Sequence, residues 1–189
     1  MWREFYGLSM LLDFSQNYFA LFSLPVQFAV DKALLASNFR ALQSQYHPDR
    51  FVTATDQERR IAVQSTGYIN EANEVLKLPR LRAQYLLTLQ AIEFSESDTT
   101  HDMPFLMAQM ETREALEAAS QANDALDQVD TIGLQVKLDT QALEESFQQH
   151  WQSGDLEKAK DAVLKMKFYE RLNNEVKHLQ EKLEDEMFA

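Results

Sequence analysis

Apolar residues recur at helical spacing in two consecutive stretches of the first half of the chain. In the first stretch the apolar positions are Leu35, Phe39, Leu42 and Tyr46, at intervals of four, three and four residues. This spacing marks one face of an α-helix. The second stretch has the same period, at Ile61, Tyr68, Ile69, Ala72, Val75 and Leu76. Because the polar segment 49–56 separates the two stretches, the pattern predicts a hairpin of two helices.

The tripeptide His47-Pro48-Asp49 lies at the tip of this predicted hairpin. Proline lacks an amide hydrogen and fixes its own backbone angle, so Pro48 ends the first helix. His47 offers a hydrogen-bond donor and an acceptor, and Asp49 accepts charge-assisted hydrogen bonds. A tight turn that merely ends a helix would explain Pro48 but gives no reason for its two neighbours. The tip is therefore a candidate interaction site whose polar groups are held at little entropic cost.

The rest of the chain is also predicted to be helical. A helix over Arg80–Ile92 precedes a loop over residues 93–104, which is rich in Ser, Thr and Asp. Three more helices are predicted, over about 105–122, 135–151 and from 155 onward, with Gly154 breaking the chain before the last. The last carries apolar residues at threes and fours, at Leu156, Ala159, Val163, Met166, Tyr169, Leu172, Val176, Leu179 and Leu183. Short connections between three amphipathic helices favour an antiparallel bundle.

Composition disfavours several classes of function. The chain has no cysteine, and so no disulfide, thiolate nucleophile or cysteine-ligated metal. Its four glycines stand alone, so neither a phosphate-binding loop nor a dinucleotide-binding fingerprint can be formed. The histidines are far apart, and His47 with Asp49 lacks a third metal ligand or a positioned nucleophile. The sequence therefore predicts a protein that is not an enzyme and binds neither a cofactor nor a metal.

The N-terminal segment bears on location. Residues 1–14 are apolar but interrupted by Glu4 and Asp13, and they lack a basic start and a small-residue cleavage site. No apolar run reaches 18 residues, so no membrane-spanning helix is expected. We expect a cytoplasmic protein that has no membrane partner. Residues 1–16 are either a native extension or the product of an upstream start codon, with Met10 as the alternative start.

Charge is distributed unevenly along the chain. The formal net charge is −12, of which residues 1–92 contribute +1 and residues 93–189 contribute −13. A strongly acidic half repels phosphate groups, so no nucleic acid partner is expected. The asymmetry favours two modules with different partners. The alternative is a solvated acidic surface that only keeps the protein soluble.

The order of predicted elements resembles the J domain of the DnaJ class of co-chaperones. A short apolar segment over residues 18–25 and a polar-capped helix start at Asp31 precede the hairpin and its His-Pro-Asp loop. In J domains, this loop and the exposed face of the preceding helix engage an ATP-bound chaperone of the heat-shock seventy class and trigger ATP hydrolysis. The resemblance implies a chaperone-binding surface formed by His47, Pro48, Asp49, Lys32 and Arg40. The ATP site would lie on the partner.

Three longer segments narrow the resemblance. They are Gln45–Phe51 (QYHPDRF), Arg82–Leu87 (RAQYLL) and Phe105–Glu111 (FLMAQME) followed by Arg113-Glu114. They resemble HscB, the J-protein family of bacterial iron–sulfur cluster assembly, within a similarity that spans about residues 17–188. The resemblance implies an N-terminal extension (1–16), a J domain with a connecting helix (17–92) and a C-terminal scaffold-binding domain (93–189). The Gly/Phe-rich linker and cysteine-rich zinc region of general DnaJ proteins are missing.

In the HscB family, the C-terminal domain holds the scaffold protein IscU through an exposed apolar patch edged by acids. Carried over by position, the patch here is formed by Leu106, Met107, Met110 and Phe168, with Glu111 and Glu114 beside it. Met110 stands where leucine is usual, which is a conservative and more pliable change. Ala118 stands where a further acid is usual, so the acidic edge is shortened. The alternative is that a wide apolar stripe in a three-helix bundle buries these residues.

The sequence thus predicts an all-α protein, with an N-terminal J-domain helical hairpin and a C-terminal antiparallel three-helix bundle. The resemblance implies a co-chaperone that binds IscU, delivers it to an HscA-type chaperone and stimulates that chaperone's ATPase, which aids cluster assembly and transfer. Two alternatives remain open. One is a J-domain co-chaperone for a different client, and the other is a helical adaptor without a chaperone link.

Overall fold

The computed structural model describes residues 12–187, which form seven α-helices and contain no β-strand. The helices are α1 (Tyr18–Leu21), α2 (Lys32–Tyr46), α3 (Asp56–Lys77), α4 (Pro79–Leu89), α5 (Met103–Ser120), α6 (Ala125–Ser153) and α7 (Leu156–Met187). A short 3-10 helix, Pro48–Phe51, lies between α2 and α3. The all-α prediction is confirmed. Most of the N-terminal extension predicted over residues 1–16 lies outside the described residues.

The chain divides into two compact units between Leu86 and Leu87, within α4. Pro79 opens α4, where the missing amide hydrogen of proline costs little. The helix ends at Leu89, three residues before the predicted end at Ile92. Ala91 adopts a positive φ of 58°, and the Ile92 amide donates to the Leu87 carbonyl at 3.0 Å. This left-handed turn satisfies a carbonyl of the last helical turn and stops the helix.

The first unit is built around the α2–α3 hairpin that the apolar pattern predicts. Asp31 caps α2, because its carboxylate accepts hydrogen bonds from the amides of Ala33 and Leu34. Thr55 caps α3 in a reciprocal arrangement with Glu58, in which each side chain accepts from the other residue's backbone amide. The short apolar segment before α2 forms α1, as predicted. These caps fix where the loop at the tip begins and ends.

The buried face of α3 differs from the predicted stripe. The fully buried residues of α3 are Ala62, Ser65, Ile69, Ala72 and Leu76. Ile61, Tyr68 and Val75, which the apolar pattern places in the core, are only half-buried at its edge. Small residues at 62, 65 and 72 allow close packing against this face, and hydrophobicity alone does not detect a buried serine.

Arg82 ties the start of α4 to two distant segments of the first unit. Its guanidinium is buried and donates hydrogen bonds to the carbonyls of Phe28, at 2.6 Å, and Leu76, at 2.5 Å. It also lies over the Phe28 ring, 4.9 Å from the centroid. A planar guanidinium can satisfy two carbonyls and an aromatic face at once. The loop before α2 is thereby held against the end of α3.

The second unit is the predicted antiparallel three-helix bundle of α5, α6 and α7. Opposite directions of α6 and α7 are shown by two side-chain hydrogen bonds, Gln180 to Asp130 at 2.6 Å and Asn173 to Thr140 at 3.0 Å. Gly154 ends α6 in a left-handed conformation, with φ of 75°, and permits the reversal. The core is formed by Leu116, Ala119, Val129, Val136, Leu172 and Val176. The apolar stripe predicted for α7 is confirmed.

Helix α6 begins at Ala125, ten residues before the predicted start at Gln135. The added turns carry apolar residues at helical spacing, Leu126, Val129 and Ile132, which lead into Val136, but exposed Leu134 and buried Gly133 obscure this stripe. A Cβ atom at Gly133 would lie 2.8 Å from Val176 Cγ1 on α7. Glycine at this position therefore lets the two longest helices approach closely.

Candidate functional site

The His47-Pro48-Asp49 tip is exposed and has a defined local geometry. His47 follows the last residue of α2, and Pro48 is the first residue of the 3-10 helix. The Asp49 amide donates to His47 Nδ1 at 3.3 Å, and the Asp49 carboxylate lies 3.6 Å from the same nitrogen. With Nδ1 accepting, the neutral imidazole carries its hydrogen on Nε2 and presents a donor to solvent. Both side chains are thus oriented outward by their own backbone turn.

Hydrogen bonds from both sides hold the tip. The Arg50 guanidinium donates to the Ser44 carbonyl at 3.1 Å, which satisfies a carbonyl near the end of α2. On the other side, the Thr66 hydroxyl of α3 donates to the Tyr46 carbonyl at 3.0 Å. Tyr46 itself is buried in the hairpin core. The residue immediately before the tripeptide is therefore anchored, and the tip projects from a fixed base.

The predicted basic residues lie at different distances from the tip. Arg40 and Lys32 are both exposed on α2. At 1.5 Å per residue, Arg40 lies about 10 Å along the helix from His47, and Lys32 about 22 Å. Arg59 is closer to the loop, because it donates to the Val52 carbonyl at 3.2 Å and pairs with Asp56. The structure therefore groups Arg40 with the tip and leaves Lys32 at the opposite end of α2.

The side chains at the tip are suited to binding a partner protein. The tip combines an exposed carboxylate with an imidazole donor, which suits charge-assisted hydrogen bonds to a partner's basic or polar groups. Across residues 12–187, no group of three or more His, Cys, Asp or Glu side chains is arranged to hold a metal ion. None of the described helices is long and apolar enough to span a membrane.

The predicted apolar patch lies on α5, with Phe168 contributed by α7. Met107 and Met110 expose 57% and 61% of their surface, whereas Leu106 and Phe168 are half-buried. The alternative that the bundle buries all four residues is therefore wrong for the two methionines. Glu111 and Glu114 are exposed on the same helix, next to the methionines in sequence and helical register. We call these six residues the α5 patch.

Aromatic contacts fix the half-buried edge of the α5 patch. Phe105 meets Phe168 edge to face, with centroids 5.7 Å apart, and meets Tyr169 at 5.9 Å. Lys165 Nζ also lies over the Phe105 ring, 5.5 Å from its centroid. Such contacts add directional preference to the area that they bury. Phe168 is therefore packed beside the first turn of α5.

A network of ion pairs and hydrogen bonds anchors the first turn of α5 to α7. Asp102 caps α5 by accepting from the Phe105 amide at 3.1 Å. Lys165 Nζ lies 2.7 Å from both Asp102 and Asp161, and the Thr100 hydroxyl donates to Asp161 at 2.6 Å. The hydrogen bond from Lys165, with the Phe105 amide, lowers the pKa of Asp102. Burial of Lys165 opposes its charged form, but the two carboxylates outweigh burial and raise its pKa.

A second polar network lies in the bundle interior, below the α5 patch. Gln109 is buried, with 2% of its surface exposed, between Leu106 and Met110 in sequence. The side-chain NH2 of Gln109 donates to the Tyr169 hydroxyl, whereas the side-chain oxygen of Gln109 has no hydrogen-bond partner. Tyr169 donates to Asp139 at 3.2 Å, so one tyrosine connects all three helices. Burial first, and then the Asp139 carboxylate, raise the pKa of Tyr169 to about 12.

Two further residues of this surface are missing from the sequence prediction. Met103 is 63% exposed and lies one turn before Met107, at positions i and i+4. Glu117 is exposed three residues after Glu114 and continues the acidic edge. Family position places the next acid at Ala118, four residues after Glu114. Residues on one helix face recur at intervals of three and four, and Glu117 lies seven residues after Met110 on the same face.

Comparison with known proteins supplies the family. Residues 101–177 match the family model described as the HSCB C-terminal oligomerisation domain. The chain is 43% identical over 173 residues to the co-chaperone protein HscB homolog of Vibrio cholerae, covering 88% of this chain and 98% of that protein. It is 41% identical over 170 residues to the homolog of Psychromonas ingrahamii, covering 89% and 99%.

Solved structures agree with the sequence comparison. Chaperone HscB from Vibrio cholerae matches with a TM-score of 0.83 and 40% identity, over 89% of this chain and 99% of that one. The human co-chaperone protein HscB matches with a TM-score of 0.80 and 28% identity, over 88% and 83%. These relatives are named as co-chaperones or chaperones and not as enzymes. The predicted resemblance is confirmed, and the chain belongs to the HscB family of co-chaperones.

Proposed function

We propose that this protein binds an IscU-type iron–sulfur scaffold, delivers it to an HscA-type chaperone and stimulates that chaperone's ATPase. The observation that carries the proposal is that one chain of the HscB family displays two separate exposed surfaces of different chemistry. One is the His47-Pro48-Asp49 tip, and the other is the α5 patch. Cluster assembly and transfer would benefit because a single molecule binds both client and chaperone.

The tip is proposed as the chaperone-binding surface. Its imidazole and carboxylate are exposed, with half-buried Pro48 between them, on a base held by Arg50 and Thr66. Exposed Arg40 extends this surface with positive charge, and Lys32 extends it further along α2. A basic helix beside a carboxylate fits a partner surface that carries both signs of charge. Because the partner hydrolyses ATP, a cytoplasmic location is part of the proposal.

The α5 patch is proposed as the scaffold-binding surface. Met107 and Met110 present apolar surface that no part of the second unit covers. Leu106 and Phe168 are half-buried, and Phe168 packs edge to face against the Phe105 ring, which suits anchors that fill a partner's pocket. Exposed Glu111 and Glu114 beside them favour a scaffold surface that is apolar at its centre and basic at its edge.

Steady-state ATPase of the HscA-type chaperone tests the proposal. Four reactions are needed: the chaperone alone, with this protein, with IscU, and with both. We expect this protein alone to raise the rate modestly and the combination to raise it by more than the product of the separate effects. Stimulation without any effect of IscU would indicate a J-domain co-chaperone for another client. No stimulation in any reaction would indicate a helical adaptor and contradict the proposal.

A further inference from the structure

Three methionines of α5 form one exposed row. Met103, Met107 and Met110 follow one another at intervals of four and three residues, so they lie along one line of the helix surface. They expose 63%, 57% and 61% of their surface, respectively. Met166 is the fourth methionine whose side chain the structure describes, and it is 97% buried in the second unit, with 3% exposed. We call the three exposed residues the methionine strip.

The methionine strip combines two chemical properties. Thioether side chains are flexible and polarisable, so they adapt to an apolar partner surface. The same sulfur is readily oxidised to a sulfoxide, which is polar and chiral and can be reduced again by methionine sulfoxide reductases. Exposure decides which methionine reacts first, because an oxidant in solution must reach the sulfur. Among the four, the strip is therefore the accessible target and Met166 is protected.

We infer that the methionine strip is a peroxide-sensitive part of the scaffold-binding surface, and that its oxidation weakens scaffold binding reversibly. The inference rests on the proposed function, because it assigns a regulation to the same α5 patch. It also adds Met103 to that patch as a third methionine contact. The family resemblance does not supply this residue, which is identified by its exposure and its helical register.

The oxidation step needs only hydrogen peroxide. A lone pair of the thioether sulfur attacks one peroxide oxygen, a sulfur–oxygen bond forms and the oxygen–oxygen bond breaks. A proton moves from the attacked oxygen to the departing one, so the products are a sulfoxide and water. The sulfur loses two electrons and the peroxide oxygens gain the same two. In the reverse step, a thiol-dependent reductase transfers two electrons from two thiols, which become a disulfide, and the oxygen leaves as water with two protons, restoring the thioether.

The consequence for binding follows from solvation. A sulfoxide oxygen accepts hydrogen bonds from water, and burial against an apolar partner surface would leave it unpaired. We expect each sulfoxide buried at the centre of the interface to weaken binding about tenfold, equivalent to about 1.4 kcal/mol. The His47-Pro48-Asp49 tip should be unaffected, because no methionine occurs between residues 11 and 102.

The test treats the full-length protein with hydrogen peroxide and removes the oxidant with catalase before any partner is added. Peptide mass spectrometry then follows the gain of one oxygen at each methionine over time. Affinity for IscU is measured before treatment, after treatment and after incubation with both sulfoxide reductases. We expect the strip to oxidise well before Met166, affinity to fall at least tenfold, and reduction to restore it.

Two variants serve as controls, and each is compared with itself before and after peroxide. Replacing the strip as M103L/M107L/M110L retains apolar side chains of similar volume that peroxide does not oxidise. This variant should keep the affinity that it has before treatment. Met166→Leu alters only the buried methionine and should remain as sensitive as the natural protein. Stimulation of the chaperone ATPase in the absence of IscU should survive treatment in all three proteins.

Each result decides between the inference and the proposed function. Full sulfoxide formation on the strip with unaltered IscU affinity would overturn the inference and leave the proposed function intact. An equal loss of affinity in M103L/M107L/M110L would also overturn it, because the loss would then arise elsewhere. Oxidation of Met166 as fast as the strip would show that exposure does not select the methionines that react, and would overturn the inference. Absence of IscU binding before any treatment would overturn the proposed function, and the inference with it.

Discussion

The hairpin tip and the α5 patch are both exposed, but different kinds of contact hold them. Around the tip, the hydrogen bonds of Asp49, Arg50 and Tyr46 run to residues a few positions away or to the facing helix of the same hairpin. The α5 patch instead depends on α7 and α6, through Lys165, Phe105 and the Gln109–Tyr169–Asp139 network. A local turn can be altered without loss of fold, whereas the patch shares its support with the bundle core.

The largest effect is expected at the tip. His47→Gln or Asp49→Asn should abolish ATPase stimulation, because each removes one of the two outward polar groups. Surface substitutions usually alter the free energy of unfolding by no more than about 0.5 kcal/mol, so the melting temperature should hardly move. Coupled ATPase assays and thermal melts check both statements. Glu74→Gln, which removes an exposed carboxylate elsewhere on the hairpin, is the matched control and should stimulate normally.

Normal ATPase stimulation by either tip variant would contradict the proposed chaperone contact. A lowered melting temperature in both would show that the tip supports the hairpin and would reverse the contrast with the α5 patch.

The next effect concerns the two anchors of the α5 patch. Interface anchors cost about 2 kcal/mol or more when truncated, so Leu106→Ala with Phe168→Ala should weaken IscU binding roughly 30-fold or more. Because both residues are half-buried, some thermal stability should also be lost, unlike at the tip. Isothermal titration and melting measure the two quantities. ATPase stimulation without IscU should survive.

The control for this pair is Leu134→Ala with Leu138→Ala. These leucines are 62% and 59% exposed on α6, in the same unit but outside the proposed surface. IscU affinity should not respond to their loss. If this pair weakens binding as much as the anchors do, the scaffold binds a different face. If the anchor variant loses stability with unaltered affinity, Leu106 and Phe168 are core residues.

A pH series examines the anchoring of α5. The hydrogen bond from Lys165 lowers the folded-state pKa of Asp102 below the unfolded value of about 3.9. The charged pair therefore stabilises the fold above that value, and its contribution is lost as pH falls through the folded pKa. Asp102→Asn keeps a good helix cap but removes the charge. Its melting temperature should lie below that of the natural protein near neutral pH, and the gap should close below about pH 4.

Exposed Asp185 supplies the comparison, since Asp185→Asn should show little gap at any pH. A gap for Asp102→Asn that stays constant down to pH 3 would mean that the ion pair contributes nothing and that only cap geometry is lost.

The smallest effect is expected from the acidic edge. Glu111 and Glu114 are exposed, so each pair with a basic group of IscU should be worth roughly 0–1 kcal/mol and act mainly on the association rate. Glu111→Lys with Glu114→Lys should slow association and alter its salt dependence, which stopped-flow measurements between low and high salt can detect. Contact between the tip and the chaperone should be unaffected. An identical salt slope would remove both glutamates from the interface.

The tip was the easier feature to predict because its determinants are adjacent in sequence. Pro48 dictates the end of α2, and the polar pair beside it needs no distant residue. The exposure of Met107 and Met110 could be suspected from excess apolar residues, but Gln109 could not be assigned to the core, because a polar residue is buried only when distant partners receive it. Tyr169, 60 residues away, is such a partner, and it is itself hydrogen-bonded to Asp139. Similarly, the predicted start of α6 is ten residues late, because buried Gly133 and exposed Leu134 obscure an apolar stripe that begins earlier.

That glycine has a consequence for how the bundle can be stabilised. In an exposed helix, exchanging glycine for alanine usually gains about 0.5–1 kcal/mol, so a propensity scale would nominate Gly133 for replacement. Here the added methyl carbon would meet Val176 Cγ1 at 2.8 Å. The clash would wedge α7 outward along the same helix that carries Phe168, Tyr169 and Lys165. A change that favours α6 as an isolated helix would therefore disturb the position of Phe168 in the α5 patch, so helix propensity and close helix packing oppose each other at this position.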